Sequence, residues 1–411
     1  MPNGPQTRFF LSSIGTPVER KSPLWNEPLP LNRFDPIERT DRRGPPFFTY
    51  GDYFEEALLF LGGQEHRFLV EAASLRLGKA ISREEIRSVD IFLEKHGPFY
   101  HPSCVQARIG GVRISLVLNV AVSSEGLKRI DEEFHLLQTL NATCSWRFLP
   151  EVYRLGSSAA GRHGGKIKMF LGEWIEGYHE FHICGCTPEG KTEISVWKGD
   201  RERLRLSQNQ IPVLYREAAK ILTAYYDLHT FDQIFPWHHA AGDFIVRVQQ
   251  ERLDLKLVSV RRYAPTVNPA QTGLKSMFEA LLVFLLNLSM RMRLDRLDGV
   301  GDTAWTDDRA VRSTLEGFFA GMALKTTHDP ISEPLTVLFK NYLFSCSESD
   351  LLEVCEEILD GYPSDSCEKR FVRERLHRHI AVLCGEIRSC LHPGTPPAPA
   401  ECAPPAPGSG I

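Results

Sequence analysis

Residues 234–246 read Ile234-Phe-Pro-Trp-His-His-Ala-Ala-Gly-Asp-Phe-Ile-Val246, and the apolar run Leu253–Val260 follows closely. A polar, His-rich turn leads into Phe244-Ile245-Val246. Arg247–Arg252 then makes a charged tip, and the second run returns. β-Branched and aromatic residues flanking a short polar tip specify a hairpin. A polar loop held by such a hairpin is a place where catalytic or binding groups concentrate.

Upstream, Pro212–Leu228 has apolar residues at helical spacing (Leu214, Ala218, Ile221, Leu222, Tyr225, Leu228), with Pro212 tolerated in the first turn. Before it lie two strands, Phe148–Leu155 and Lys168–Ile175, joined by the Gly161–Gly165 link, and then a smaller hairpin, His182–Cys186 with Glu193–Trp197. Further back, Cys104–Ile109 and Val112–Val122 form a hairpin across Gly110-Gly111. A helix at about 124–140 carries the stripe Leu127, Ile130, Phe134, Leu137. In the strand to Val122, Val117 and Asn119 share the less apolar face. Residues 49–96 read as helical, with a capping box at Ser82-Arg-Glu-Glu85 and Ile86, Val89 and Leu93 on one face. Downstream of the hairpin, helices are expected at about 272–293, 308–323, 331–343, 349–359 and 367–389. The expected organisation is an extended or disordered arm over 1–47, a helical extension over 48–98, a β-rich region over 99–178, a mainly helical region over 179–391 and a Pro/Ala-rich disordered tail over 392–411.

The chain has 411 residues, 42% of them hydrophobic and 24% charged, with a net charge of -4. That balance opposes general nucleic-acid or anionic-membrane binding. Met277–Met290 is too short to span a bilayer and reads as a buried helix. The ten cysteines include only one close pair, Cys184 and Cys186, without the second pair a zinc ribbon needs. With no secretory leader in view, a cytoplasmic protein with reduced thiols is expected. The basic runs Arg291–Arg296 and Lys369–Arg378 read as solvated helix faces.

The order of elements over roughly 99–325 resembles the protein-kinase-like superfamily, especially its aminoglycoside-phosphotransferase branch. The parts that carry it are the strand to Val122, the helix with Glu133, Phe170-Leu-Gly-Glu-Trp-Ile-Glu-Gly177, the helix 212–228, the loop and hairpin 236–263, and Leu315-Glu-Gly-Phe-Phe-Ala-Gly321. The resemblance implies an α+β, two-lobed fold, with ATP and magnesium or manganese as cofactors and adenine at a hinge near Glu173. Carried over residue by residue, the phosphate-binding Lys falls on Asn119 and its orienting Glu on Glu133. Alignment on Phe244–Val246 puts the metal-binding Asn on Asp243 and the catalytic base on His238. The second metal ligand falls on Ser259, with Arg261 close by as a phosphate or carboxylate binder. The family's Gly-rich phosphate loop has no counterpart here, since Gly110-Gly111 is a hairpin turn.

These departures imply a kinase-like scaffold with a degenerate site: a pseudokinase that binds a small-molecule ligand or a protein partner without turnover. Two alternatives stand beside it. One is an atypical ATP-dependent phospho- or nucleotidyl-transferase using Asp243 on the metal and His238 as base. The other is a metal-dependent hydrolase holding its ion through His238, His239 and Asp243. For the loop itself, packing and backbone hydrogen bonding are also sufficient explanations. His179-Glu-Phe-His182 lacks the helical i, i+4 spacing of a zinc protease; it reads as a polar loop, with ligand contact as the alternative because it lies where the resembled family's hinge begins.

Overall fold

The computed structural model describes residues 5–12, 15, 17–30, 48–97, 99–159, 166–198, 202–267, 273–362 and 367–391. The tail 392–411, most of the second half of the arm and the Gly161–Gly165 link lie outside them. The chain is α+β, with strands concentrated early and helices late.

In chain order the first half comprises β1 (Gln6–Leu11), α1 (Tyr50–Leu77), β2 (Ile86–Leu93), β3 (His101–Ile109), β4 (Val112–Ala121), α2 (Ser124–Thr143), β5 (Val152–Ala159) and β6 (Lys166–Glu173). One six-stranded sheet runs β1-β2-β3-β4-β6-β5. All its neighbours are antiparallel except β1, which pairs with β2 in parallel. Strand alternation divides the side chains between two cores. Met169 and Leu171 join the core under α1, whereas Phe170 joins the core that contains α2 and the rest of the chain.

Two expectations fail in this half. The arm over 1–47 is not wholly unstructured, because Phe9 and Leu11 of β1 and Trp25 of a short 3-10 turn are buried against α1. Residues 86–93 are a strand rather than the continuation of a helix. Ser82 and Glu85 do form the reciprocal capping pattern, but it closes only a 3-10 turn over Arg83–Glu85. A register shift between Ile86 and Ser88 sets Ile86 three residues from Val89, so a bulged strand imitates helical spacing.

The second half begins with a three-stranded sheet, β7 (Phe181–Cys186), β8 (Thr192–Trp197) and β9 (Arg203–Arg205). It continues with α3 (Gln210–Ala224), β10 (Asp232–Ile234), β11 (Phe244–Gln249), β12 (Arg252–Leu257), β13 (Tyr263–Pro265), α4 (Leu274–Met292), β14 (Leu294–Arg296), β15 (Thr303–Trp305) and α5 (Arg309–Lys325). It ends with α6 (Ser332–Ser345), α7 (Glu348–Asp360), α8 (Cys367–Arg373) and α9 (Leu376–Cys390). The hairpin read from 244–260 forms as β11 and β12, paired Phe244↔Leu257 through Gln249↔Arg252. The single helix expected over 367–389 is two, α8 and α9. Arg291 and Arg293 are not on a solvated face. Both are buried, Arg291 paired with Glu368 at 2.8 Å and Arg293 with Asp308 at 2.7 Å. No helix among the described residues is long and apolar enough to cross a membrane.

Candidate functional site

Between the cleft face of the six-stranded sheet and the hairpin β11–β12 lies a cavity of about 630 Å³. Val117 and Asn119 of β4, Phe170 and Gly172 of β6 and Val152 of β5 form its roof, because the period-two pleat turns these residues to the side opposite α1. Ile245 and Val258 lie on the floor. The segment Glu173–His179 forms the back wall and is tied to the floor by the paired backbone bonds between His179 and Val246, 2.9 Å each. The connection between β2 and β3 overhangs the cavity with Glu94, Lys95, Gly97, Phe99 and Tyr100.

Asn119, Glu133, Glu173, Asp243, Ser259 and Arg261 all line this cavity, so six positions scattered over 143 residues of sequence meet at one place. Their partners define what they do. Arg261 gives both terminal nitrogens to the two carboxylate oxygens of Asp243. The Asp243 side chain also accepts the His238 backbone N–H at 2.8 Å, and its carbonyl accepts from Val258 N at 2.8 Å. Burial alone would lower the Arg261 pKa, but the Asp243 charge and hydrogen bond more than offset it, and the guanidinium stays charged. Glu133, buried at the innermost end, accepts from Ser259 Oγ at 2.7 Å and from Val260 N at 3.0 Å. Tyr100 is hydrogen-bonded to the same carboxylate, and burial followed by the Glu133 charge raises its pKa well above the ordinary phenol value. Glu173 is paired with Arg76 of α1 at 2.9 Å and accepts from Glu151 N at 3.3 Å.

The two histidines of the loop diverge. His238 is not among the residues lining the cavity. Its Nδ1 lies 2.5 Å from Nη2 of the buried Arg291, on the far side of the loop. His239 is buried within a ring of Phe181, Tyr215, Trp237 and Phe244, and neither of its ring nitrogens finds a hydrogen-bond partner among the described residues. Burial lowers its pKa to about 4, so the imidazole is neutral. Among the described residues no group of three or more His, Cys, Asp or Glu side chains is disposed to hold a metal ion, and the set His238, His239 and Asp243 does not converge.

Lys95 is a site residue that sequence reading missed, and its partner Glu180 belongs to the His179–His182 cluster read there chiefly as a polar loop. Lys95 reaches from the overhanging connection to form an ion pair with Glu180, which joins the two sides of the cavity mouth. Glu180 in turn faces His182, and His182 faces Asp295, each at 3.7 Å, making a line of alternating charge. Burial opposes ionisation of Glu180, but Lys95 and His182 prevail and bring its pKa to about 2. Burial likewise opposes protonation of His182, but the facing carboxylates of Asp295 and Glu180 raise its pKa to about 9. The Glu180 carboxylate passes so close to Gly242 that a Cβ there would lie 2.4 Å from it, and Gly242 also has a left-handed φ of +67°. The left-handed φ favours glycine at that position, and any side chain there would also have to displace the Glu180 carboxylate. Neither Lys128 of α2 nor Lys168 of β6 lines the cavity in place of Asn119, and Lys168 pairs with Asp131.

No protein-family model and no curated protein matches the chain. A solved structure described as the microcompartment-associated aminopropanol kinase aligns with 77% of this chain and 96% of its own length, at 10% identity and a TM-score of 0.27. At that score the likeness carries no argument about fold or chemistry.

Proposed function

We propose that this is a two-lobed, kinase-like protein that binds a ligand in the cleft between its lobes and does not transfer phosphoryl groups. The support for the fold is topological. Three antiparallel strands, a helix and two further strands, in the order β2-β3-β4-β6-β5 with α2 inserted after β4, match what the family resemblance implies for a small lobe. The back wall then corresponds to the hinge, and β11–β12 to the hairpin that carries the catalytic groups.

The functional reading rests on one observation, the double ion pair of Arg261 with Asp243. The family's chemistry needs a carboxylate or amide oxygen at this position to hold a metal ion, and a lysine above it for the phosphates. Here a guanidinium belonging to the chain occupies both Asp243 oxygens. Ser259 donates its hydroxyl to Glu133, and Asn119 supplies no charge. These residues do not fit ATP with magnesium or manganese. A buried, doubly bonded pair of this kind is costly to open, because each separated charge would then be desolvated and unpaired.

The test is a thermal-shift titration with ATP, with and without magnesium or manganese, on wild type and Asp243→Ala. No metal-dependent stabilisation is expected in either protein. A stabilisation in wild type that depends on metal and is lost in Asp243→Ala would restore the phosphotransferase reading.

A further inference from the structure

We infer that the cleft takes a flat aromatic ligand bearing a protonated amine and no phosphate. This rests on the preceding reading of the cleft as a ligand site. The first support is its charge. Six carboxylates line the cavity against four cations, and every one of those cations is already paired within the chain. Lys95 is held by Glu180, and Arg261 by Asp243. Lys198 lies 3.5 Å from Glu202, and Arg203 pairs with Asp298 at 2.7 Å while stacking on Trp197 at 4.6 Å. His179 adds no positive charge, since burial and then Lys198 lower its pKa. A phosphate entering this cavity would have to draw a cation from an existing ion pair and would meet net negative charge.

Glu133 presents the opposite need. Its hydrogen-bond donors are a serine hydroxyl, a backbone N–H and a tyrosine hydroxyl, all neutral. Arg261 lends it a favourable field but has committed both terminal nitrogens to Asp243. A ligand ammonium beside Glu133 would complete the charge balance at the buried end, where the low dielectric makes the pairing strong. Shape supplies the rest. Val117, Val152 and Phe170 above and Ile245 and Val258 below form a slot between two sheet surfaces. At about 630 Å³ the slot is in the ordinary range for a small-molecule site, and its apolar roof and floor suit a planar ring system.

The experiment is a calorimetric titration with three ligands that share one ring, namely tryptamine, tryptophol and indole-3-acetate, followed by ATP with and without magnesium. Tryptamine is expected to bind about tenfold or more tightly than indole-3-acetate, with tryptophol between them and ATP not binding. Glu133→Gln is expected to erase the preference for tryptamine. Should that variant fail to fold, Val117→Trp, which fills the slot, is expected to abolish binding of all three. Equal or tighter binding of indole-3-acetate, or no binding of any indole at millimolar concentration, overturns the inference while leaving the non-phosphotransferring reading intact. Magnesium-dependent ATP binding tighter than that of tryptamine overturns both.

Discussion

At the level of single residues, Arg261 and Asp243 are each tolerable in the interior only because of the other. Removing one partner from a buried ion pair strands the remaining charge, at a cost of about 3–5 kcal/mol, while replacing both with apolar groups of similar volume is close to neutral. Arg261→Met is therefore expected to lower stability to denaturant by about that amount, and Arg261→Met with Asp243→Leu is expected to recover most of it. The lost bond to His238 N, 2.8 Å in wild type, sets the shortfall of the double variant. A loss in the double variant as large as in the single one would mean that the pair is not coupled. A pH dependence follows from the neighbouring line of charge. His182 titrates at about 9 in the folded chain, above its ordinary 6.5, so its contribution is fully present below about 6.5 and is lost as pH rises through 9. Glu180 behaves oppositely, with a folded pKa of about 2 against an ordinary 4.5, so its contribution is present above 4.5 and lost as pH falls through 2. Relative to wild type, His182→Gln should be destabilised by up to about 3 kcal/mol at pH 6 and by much less above pH 9, read from urea unfolding at each pH. The residues of the site were legible as positions but not as partners. Spacing from the strand Phe244–Val246 identified Asp243, Ser259 and Arg261, yet that Arg261 would take both oxygens of Asp243 depends on the path of the loop after β12, which no local pattern encodes.

At the level of elements, the close approach of α5 to α3 is made possible by missing side chains. Gly317 and Gly321 are one turn apart on α5 and face α3. A Cβ on Gly317 would lie 2.2 Å from the Arg216 carbonyl oxygen, and one on Gly321 would lie 2.5 Å from Thr223 Cβ and 2.7 Å from the Lys220 carbonyl oxygen. Backbone oxygens cannot yield as flexible side chains do, so the helices must separate to admit even a methyl group. Gly317→Ala is expected to destabilise the protein by about 1–3 kcal/mol despite the better helix propensity of alanine. Denaturant unfolding checks this, and an unchanged or higher midpoint would show that the two helices can shift without penalty. Helices such as α2 and α3 were readable because their apolar stripes repeat over several turns. β2 was misread because its bulge breaks the alternation at Ile86, leaving only Val89, Ile91 and Leu93 in register. β1 was missed for a different reason. Its partner in the sheet is about eighty residues away and parallel to it, and a parallel pairing leaves no turn signature in the sequence.

At the level of the whole molecule, the two cores are joined at the cleft mouth by Lys95, which crosses from the connection after β2 to Glu180 beside β7. There a lysine side chain bridges the gap to a carboxylate. The pair is partly exposed, with side-chain accessibilities of 44% and 30%, so its contribution to global stability is modest, on the order of 1 kcal/mol or less. Its effect on the local opening of the overhang is larger in proportion, since it ties that segment to the far side of the cleft, whereas the contacts of Phe99 and Tyr100 run to Arg129 and Glu133 of α2, which is held in turn through Glu133 to Ser259 and Val260. Lys95→Ala is therefore expected to leave the unfolding midpoint nearly unchanged while raising amide hydrogen exchange in residues 94–101, with α2 unaffected. Equal protection of 94–101 in variant and wild type would show that the overhang is held by its own packing, including Phe99 under Arg129 and Tyr100 on Glu133. Raised exchange in both the overhang and α2 would instead show that the upper sheet moves as one body and that Lys95 limits its motion.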